Sequence, residues 1–212
     1  GFPATPATNE PSILSWCSAK PYVGTAASGK HQDISFRAIS TKLEFQSGEP
    51  IRLAGYVKNE GTRLQTVLID ADPRIGVKFE CTIKGPAGTY IPEIRAAEPR
   101  AELSLDNSSF MILDPEKESR VSVFEIRTVK GPDGKSGPLP PGDYEATIRY
   151  EVPASAGEKT IDGQPIPYLG QSQRYLSKSP RAIWESSVSF KVSTEQFTPP
   201  RRGPRGGGPS GG

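Results

Sequence analysis

Residues 42–59, KLEFQSGEPIRLAGYVKN, constrain the fold more than any other stretch of the chain. Leu43 and Phe45 alternate with polar residues, and Ser47-Gly48-Glu49-Pro50 then supplies turn chemistry. Ile51, Leu53, Gly55 and Val57 resume the alternation. A period of two on both sides of a Gly/Pro break predicts two half-buried antiparallel strands. The same period returns in GVKFECTIK, where Val77, Phe79, Cys81 and Ile83 share one face. It returns again in DYEATIRYEV, on Tyr144, Ala146, Ile148 and Tyr150, and in SSVSFKV, on Val188, Phe190 and Val192. In RVSVFEIRT, Val121 and Val123 share a parity that Phe124 and Ile126 break, which predicts a β-bulge.

With SFRAIS, LQTVLI and SFMIL added, about eight short strands and no convincing helix predict an all-β fold, a two-sheet antiparallel sandwich. PEIRAAE reads at most as a helical turn, because Pro99 stops a longer helix. The expected organisation is an extended N-terminal segment over 1–33 and a sandwich domain over 34–194. That domain includes a long loop at 153–183, and a flexible Pro/Arg/Gly-rich tail follows over 195–212. The 22 Gly and 22 Pro residues fit turn-rich connections and flexible ends, with a core supplied by the short periodic runs.

The net charge of +2 is uneven: removing Arg201, Arg202 and Arg205 of the tail leaves the remainder at −1. A near-neutral body argues against a nucleic-acid footprint on the folded part, and three arginines without interleaved aromatics make a weak RGG-type signal. No apolar run approaches the ~18 residues of a membrane-spanning helix. The chain opens on Gly1-Phe2-Pro3 rather than Met. The expected location, secreted, periplasmic or cell-surface, takes a leader to have been removed, though a fragment of a longer chain would read alike.

Catalytic constellations are weak throughout. His31 is the sole histidine, so a Ser-His-Asp or Cys-His set would have to use it, and no Gly-x-Ser-x-Gly elbow is present. One His and two Cys do not complete a four-ligand zinc site without carboxylates. Gly131-Pro132-Asp133-Gly134-Lys135-Ser136 mimics the end of a phosphate-binding loop, but Val129 stands where a Gly belongs and Gly137-Pro138 follows where a helix should start. It reads as a hairpin loop. Asp70-Ala71-Asp72 resembles the start of a calcium loop, with Arg74 and Ile75 where an acid or amide and a Gly belong; solvated carboxylates are the plainer reading. Asn107-Ser108-Ser109 is a glycosylation sequon. No cofactor, metal or catalytic set is assigned.

Leu139-Pro140-Pro141-Gly142-Asp143-Tyr144 resembles the tyrosine corner of immunoglobulin-like and fibronectin-type domains, in which a Tyr opening the sixth strand hydrogen-bonds back across the corner. The order FQSGEPIRLAGYVKNEG, SFMILDPEKESRVSVFEI, LPPGDYEATIRY, IWESSVSFKV is similar to secreted bacterial immunoglobulin-like modules and to the BsuPI-type proteinase inhibitor family. The likeness spans roughly residues 34–193 and implies an immunoglobulin-like sandwich. Its motifs make folds rather than functions. The function expected is a non-enzymatic interaction or structural module with a protein partner. A protease inhibitor presenting a loop and a carbohydrate-binding module are the alternatives.

Two further expectations name residues. Cys81 on the apolar face of its strand and Cys17 beside Trp16 are expected to form a disulfide. The connection 153–183 is expected to bind a partner through Tyr168, Arg174, Tyr175 and Arg181, since Tyr and Arg are enriched at binding hot spots.

Overall fold

The computed structural model describes residues 33–199 and the backbone of a two-residue strand at 21–22. The strands are β1 (Pro21–Tyr22), β2 (Ile34–Ser40), β3 (Glu44–Ser47), β4 (Ile51–Asn59), β5 (Gln65–Leu68), β6 (Lys78–Gly85) and β7 (Gly88–Pro92). They continue with β8 (Phe110–Leu113), β9 (Glu118–Ile126), β10 (Val129–Lys130), β11 (Ser136–Gly137), β12 (Gly142–Glu151) and β13 (Ile183–Gln196). One α-helix, α1 (Ser172–Lys178), occurs among the described residues. The fold is all-β, as the alternating patterns require.

The largest sheet runs β13-β12-β6-β7-β10-β11, and β1 and β3 both attach to β13. Their contacts with β13 overlap its pairing with β12, so they occupy its other edge. β3 pairs β13 in parallel, so this sheet is mixed rather than purely antiparallel. Alternation identifies a half-buried strand without revealing its direction. A second sheet, β2-β4-β9, packs against the first. β5 and β8 form a separate two-stranded ribbon.

The core lies between the two larger sheets. Across the first sheet, Phe79, Tyr150 and Trp184 stand in one row. Tyr150 stacks between the other two rings at 4.7 and 4.9 Å. Phe36 of the facing sheet approaches Tyr150 at 6.0 Å, and the Trp184 Nε1 donates to the Ile34 carbonyl at 3.3 Å. Fully burying rings of this kind stabilises a fold by about 1.5–3 kcal/mol each. The Tyr150 hydroxyl donates to the Leu68 carbonyl at 2.5 Å, so the row satisfies its polar atom as well.

The predicted parity holds along β6: Val77, Cys81 and Ile83 are buried, Phe79 is half-buried, and Lys78, Glu80, Thr82 and Lys84 are exposed. The predicted bulge falls at Val121, where the register slips between Gly55 and Tyr56 of β4. Phe124 and Ile126 are therefore buried while Val123 is exposed. Leu43 departs from its pattern and is 60% exposed. It lies in the bend where the chain leaves β2 to join β13 through β3, so its parity belongs to neither strand. PEIRAAE forms no helix: Pro92 closes β7 and is buried, and residues 93–98 are an exposed run without regular structure.

Candidate functional site

The long connection after β12 is a folded cap. It leaves β12 through Val152, whose amide donates to the Ala182 carbonyl at 2.9 Å. A tight turn at 160–164 closes with Thr160 and Gln164 bonded backbone to backbone at 2.7 Å. The chain then runs beside residue 105, with the Leu105 amide on the Pro167 carbonyl and the Leu169 amide on the Leu105 carbonyl. α1 follows and packs on β5. Ala156, Ile166, Leu176 and Ala182 are buried, and the buried Ser179 hydroxyl accepts from the Leu68 amide at 2.8 Å. Gly157, at φ +79°, sits where a side chain would meet Leu176 at 2.8 Å and Leu105 at 3.0 Å. The long loop expected at 153–183 is thus folded in part: Ala156, Ile166 and Leu176 are buried and α1 packs on β5, whereas Leu169 stays exposed.

An ion cluster clamps the cap's base. Asp72 follows β5, and its carboxylate is 1% exposed. Arg74 grips it with two donors, Nε at 3.0 Å and Nη2 at 2.8 Å. The backbone amides of Arg74 and Arg100 donate to the same carboxylate, each at 3.0 Å. The Arg100 Nη2 donates to Asp70 at 2.7 Å, and the Ser109 hydroxyl joins it at the same distance. The Arg74 side chain reaches across to the Arg100 carbonyl at 2.8 Å, tying the 93–104 segment to the end of β5. Hydrogen bonds from the Arg74 guanidinium, opposed by burial, hold the Asp72 carboxyl well below the usual carboxylate range. The Asp70-Ala71-Asp72 carboxylates are thus bound by guanidinium groups of their own chain, which a calcium loop would have to displace. Among the described residues no group of three or more His, Cys, Asp or Glu side chains is placed to hold a metal ion.

The residues singled out from sequence fall in three environments. Tyr168 is 37% exposed and donates its hydroxyl to the Gly157 carbonyl at 3.2 Å. Arg174 is exposed on α1, whereas Tyr175 is half-buried with its ring 5.7 Å from Phe110. Arg181 is largely buried, with Glu158 at 3.8 Å and Nη1 lacking a hydrogen-bond partner. Burial pushes its guanidinium down. Tyr168 and Arg174 therefore face solvent, while Tyr175 and Arg181 anchor the cap. Ile161, 71% exposed, and Leu169, 52% exposed, also face solvent from this connection, and sequence reading passed over both as contact residues.

Cys81 is buried and free, and burial pushes its thiol up to about 12. Cys17, Trp16, His31 and the tail arginines Arg201, Arg202 and Arg205 lie outside the described residues. Residues 131–135 form the hairpin turn between β10 and β11, closed by the Gly131 amide on the Lys135 carbonyl at 2.8 Å, and Ser136 opens β11. Asn107 of the sequon opens a 3-10 turn and its Oδ1 accepts from the Gln171 amide at 3.3 Å. No helix among the described residues is long and apolar enough to cross a membrane.

No family model matches the chain, and no curated protein matches it. Among solved structures, a β-glucosidase from Listeria innocua aligns with a TM-score of 0.33 and 10% identity, over 77% of this chain and 17% of that one. The same enzyme in complex with isofagomine aligns at 0.33 and 9%, over 84% and 22%. A β-glucosidase involved in saponin metabolism from intestinal bacteria aligns at 0.29 and 15%, over 84% and 16%. The chain thus spans about a fifth or less of those proteins, and at these scores the likeness carries no argument.

Proposed function

We propose that this chain is a non-enzymatic, exported immunoglobulin-like module that docks a protein partner on the outer surface of its cap. The observation that carries this reading is the placement of Ile161, Tyr168 and Leu169 on a cap whose underside is buried and whose base is clamped by Asp72, Arg74 and Arg100. Apolar side chains held out on a rigid frame lose little conformational freedom when a partner covers them, and a nearby aromatic and Arg174 supply hot-spot chemistry.

The immunoglobulin-like assignment rests on two features. The strand order β2-β4-β9 against β3-β13-β12-β6-β7 parallels the A-B-E and A′-G-F-C-C′ arrangement of such domains. Tyr144, near the start of β12, donates its hydroxyl to the Pro140 carbonyl at 2.6 Å, four residues upstream, which is the tyrosine-corner bond. The resemblance to BsuPI-type inhibitors belongs to the same proposal and adds no residue to it. A carbohydrate-binding role needs two or three coplanar exposed rings. Tyr168 is the one exposed aromatic among the described residues, so the protein-partner reading is preferred.

The test is a triple variant, Ile161→Ser, Tyr168→Ala and Leu169→Ser, compared with the unaltered chain in co-purification from its native source. An unchanged melting curve with loss of the co-purifying protein is expected. Retention of that protein at full yield refutes the cap as the docking surface.

A further inference from the structure

The connection that leaves β7 is held at both ends and open between them. At its start the Glu93 amide donates to the Thr128 carbonyl at 2.9 Å, and the Ser136 hydroxyl donates to the Glu93 carboxylate at 2.5 Å. Further on, the Arg100 amide donates to Asp72 at 3.0 Å and the Arg100 carbonyl accepts from Arg74 at 2.8 Å. Between these anchors, no backbone amide or carbonyl of residues 94–99 is hydrogen-bonded among the described residues. All six residues are exposed, and the Arg95 side chain is 85% exposed. Its ion-pair partner is Glu98, itself 73% exposed, and a surface pair of this kind contributes little.

We infer that Arg95–Ala96 is the bond at which an arginine-specific endoprotease opens this chain. Nicking concentrates in exposed segments whose backbone is not engaged. The enzyme takes such a segment as an extended strand and pairs with its free amides and carbonyls. Segment 94–99 offers that backbone on both sides of the bond, with Arg95 before it and the small Ala96 and Ala97 after it. In the step, water adds its hydroxyl to the Arg95 carbonyl carbon and a proton to the Ala96 nitrogen as the amide bond breaks. After proton transfer the products are a carboxylate on Arg95 and an ammonium on Ala96.

No other described arginine combines these features. The arginines of β2, β4, β9, β12 and α1 have their backbones in regular structure. The Arg63 carbonyl accepts from Asn59 Nδ2 at 2.7 Å, and Thr128, next to Arg127, is the residue that holds Glu93. Ile75, after Arg74, is buried with its amide on the Asp72 carbonyl at 2.9 Å. Arg100 is bound through amide, carbonyl and side chain, and Arg181 is largely buried.

The cut leaves the module assembled, because each sheet draws strands from both pieces. On either side of the bond, β6 pairs with β12, β4 with β9, and β5 with β8. The new ends are held crosswise as well. Glu93 of the first piece is bonded to Thr128 and Ser136 of the second, and Arg100 of the second to Asp72 and Arg74 of the first. Cleavage therefore yields a two-piece, non-covalent module with its core and cap in place.

The full chain, incubated natively with a trace of the arginine-specific endoprotease clostripain and followed by intact mass, tests the inference. The first internal cut is expected at Arg95–Ala96, with both pieces co-eluting at the parent volume in gel filtration and separating in denaturant. Cuts after Arg201, Arg202 or Arg205 shorten only the C-terminal end and are told apart by mass. Arg95→Gln should slow the internal cut by about a hundredfold or more and leave the melting curve unchanged. No internal cut, a first internal cut at another arginine, or a rate indifferent to Arg95→Gln overturns the site. Pieces that separate without denaturant overturn the interlocked module. A chain that holds the enzyme inactive without being turned over is an inhibitor, which overturns the assignment as a substrate.

Discussion

Replacing Asp72 by Asn should destabilise the protein at neutral pH and do so much less in acid. The substitution keeps the size of the side chain and one carbonyl acceptor but removes the charge that Arg74 and Arg100 enclose. Four donors converge on this carboxylate, two from the Arg74 side chain and two from backbone amides. Breaking a fully buried pair costs about 3–5 kcal/mol. The arginine side chains are 30% and 37% exposed, so water recovers part of that. A loss of about 2 kcal/mol remains, and for a domain of this size it lowers the Tm by roughly 4–8 °C.

The pH dependence follows from the direction of the shift. Asp72 has its folded-state pKa depressed, so its contribution is fully present above the unfolded value of about 3.9. It is lost as pH falls toward the folded value, by at most about 1.4 kcal/mol per pH unit. The gap in stability between the parent protein and Asp72→Asn should be flat from about pH 5 to 8 and close progressively below about pH 4. Urea unfolding at a series of pH values measures it, with the exposed Asp162→Asn as control. A variant as stable as the parent at pH 7, or a gap that does not narrow at pH 3, refutes the clamp.

Two further predictions test the core. Gly55→Ala should destabilise the β2-β4-β9 sheet, because its Cβ would lie 2.6 Å from the Ser122 Oγ and 2.7 Å from the Phe36 ring; thermal unfolding should show a loss of about 1–3 kcal/mol, and an unchanged or raised Tm refutes the close approach. Cys81 should resist iodoacetamide at pH 8 in the native protein and react on unfolding, since burial leaves the thiolate scarce, which mass spectrometry of pulse-labelled protein reads directly; labelling at the free-thiol rate refutes its burial.

What the sequence disclosed and what it hid divide along a physical line. Parity along one strand is local: Val77, Cys81 and Ile83 announce their buried face, and the broken parity at Val121 announces a bulge. Strand direction and the partners of a polar side chain depend on distant chain. The parallel seating of β3 on β13 joins residues about 150 positions apart, and nothing in EFQS encodes its orientation. The Asp72 clamp has the same character, because Arg100 reaches it from 28 positions downstream. β7 was missed because its four-residue alternation merges into the exposed run from Glu93 onward, and β10 and β11 are too short to carry a period.

The candidate site sits on the other side of that line. Tyr168, Arg174, Tyr175 and Arg181 were chosen by residue type, and composition does not distinguish a side chain that meets a partner from one that holds the cap. The structure separates them by what lies beneath. Tyr175 covers Phe110, and Arg181 is enclosed near Glu158, so altering either would loosen the cap as well as change its surface. Ile161 and Leu169 carry the opposite signature: they are exposed, while Ile166, between them in sequence, is buried. A variant meant to probe docking should therefore alter the first pair and Tyr168, leaving Ile166, Tyr175 and Arg181 in place. Excising residues 155–180 as a loop would instead remove Leu176 and the Ser179 bond to Leu68, and would report on stability whatever the partner does.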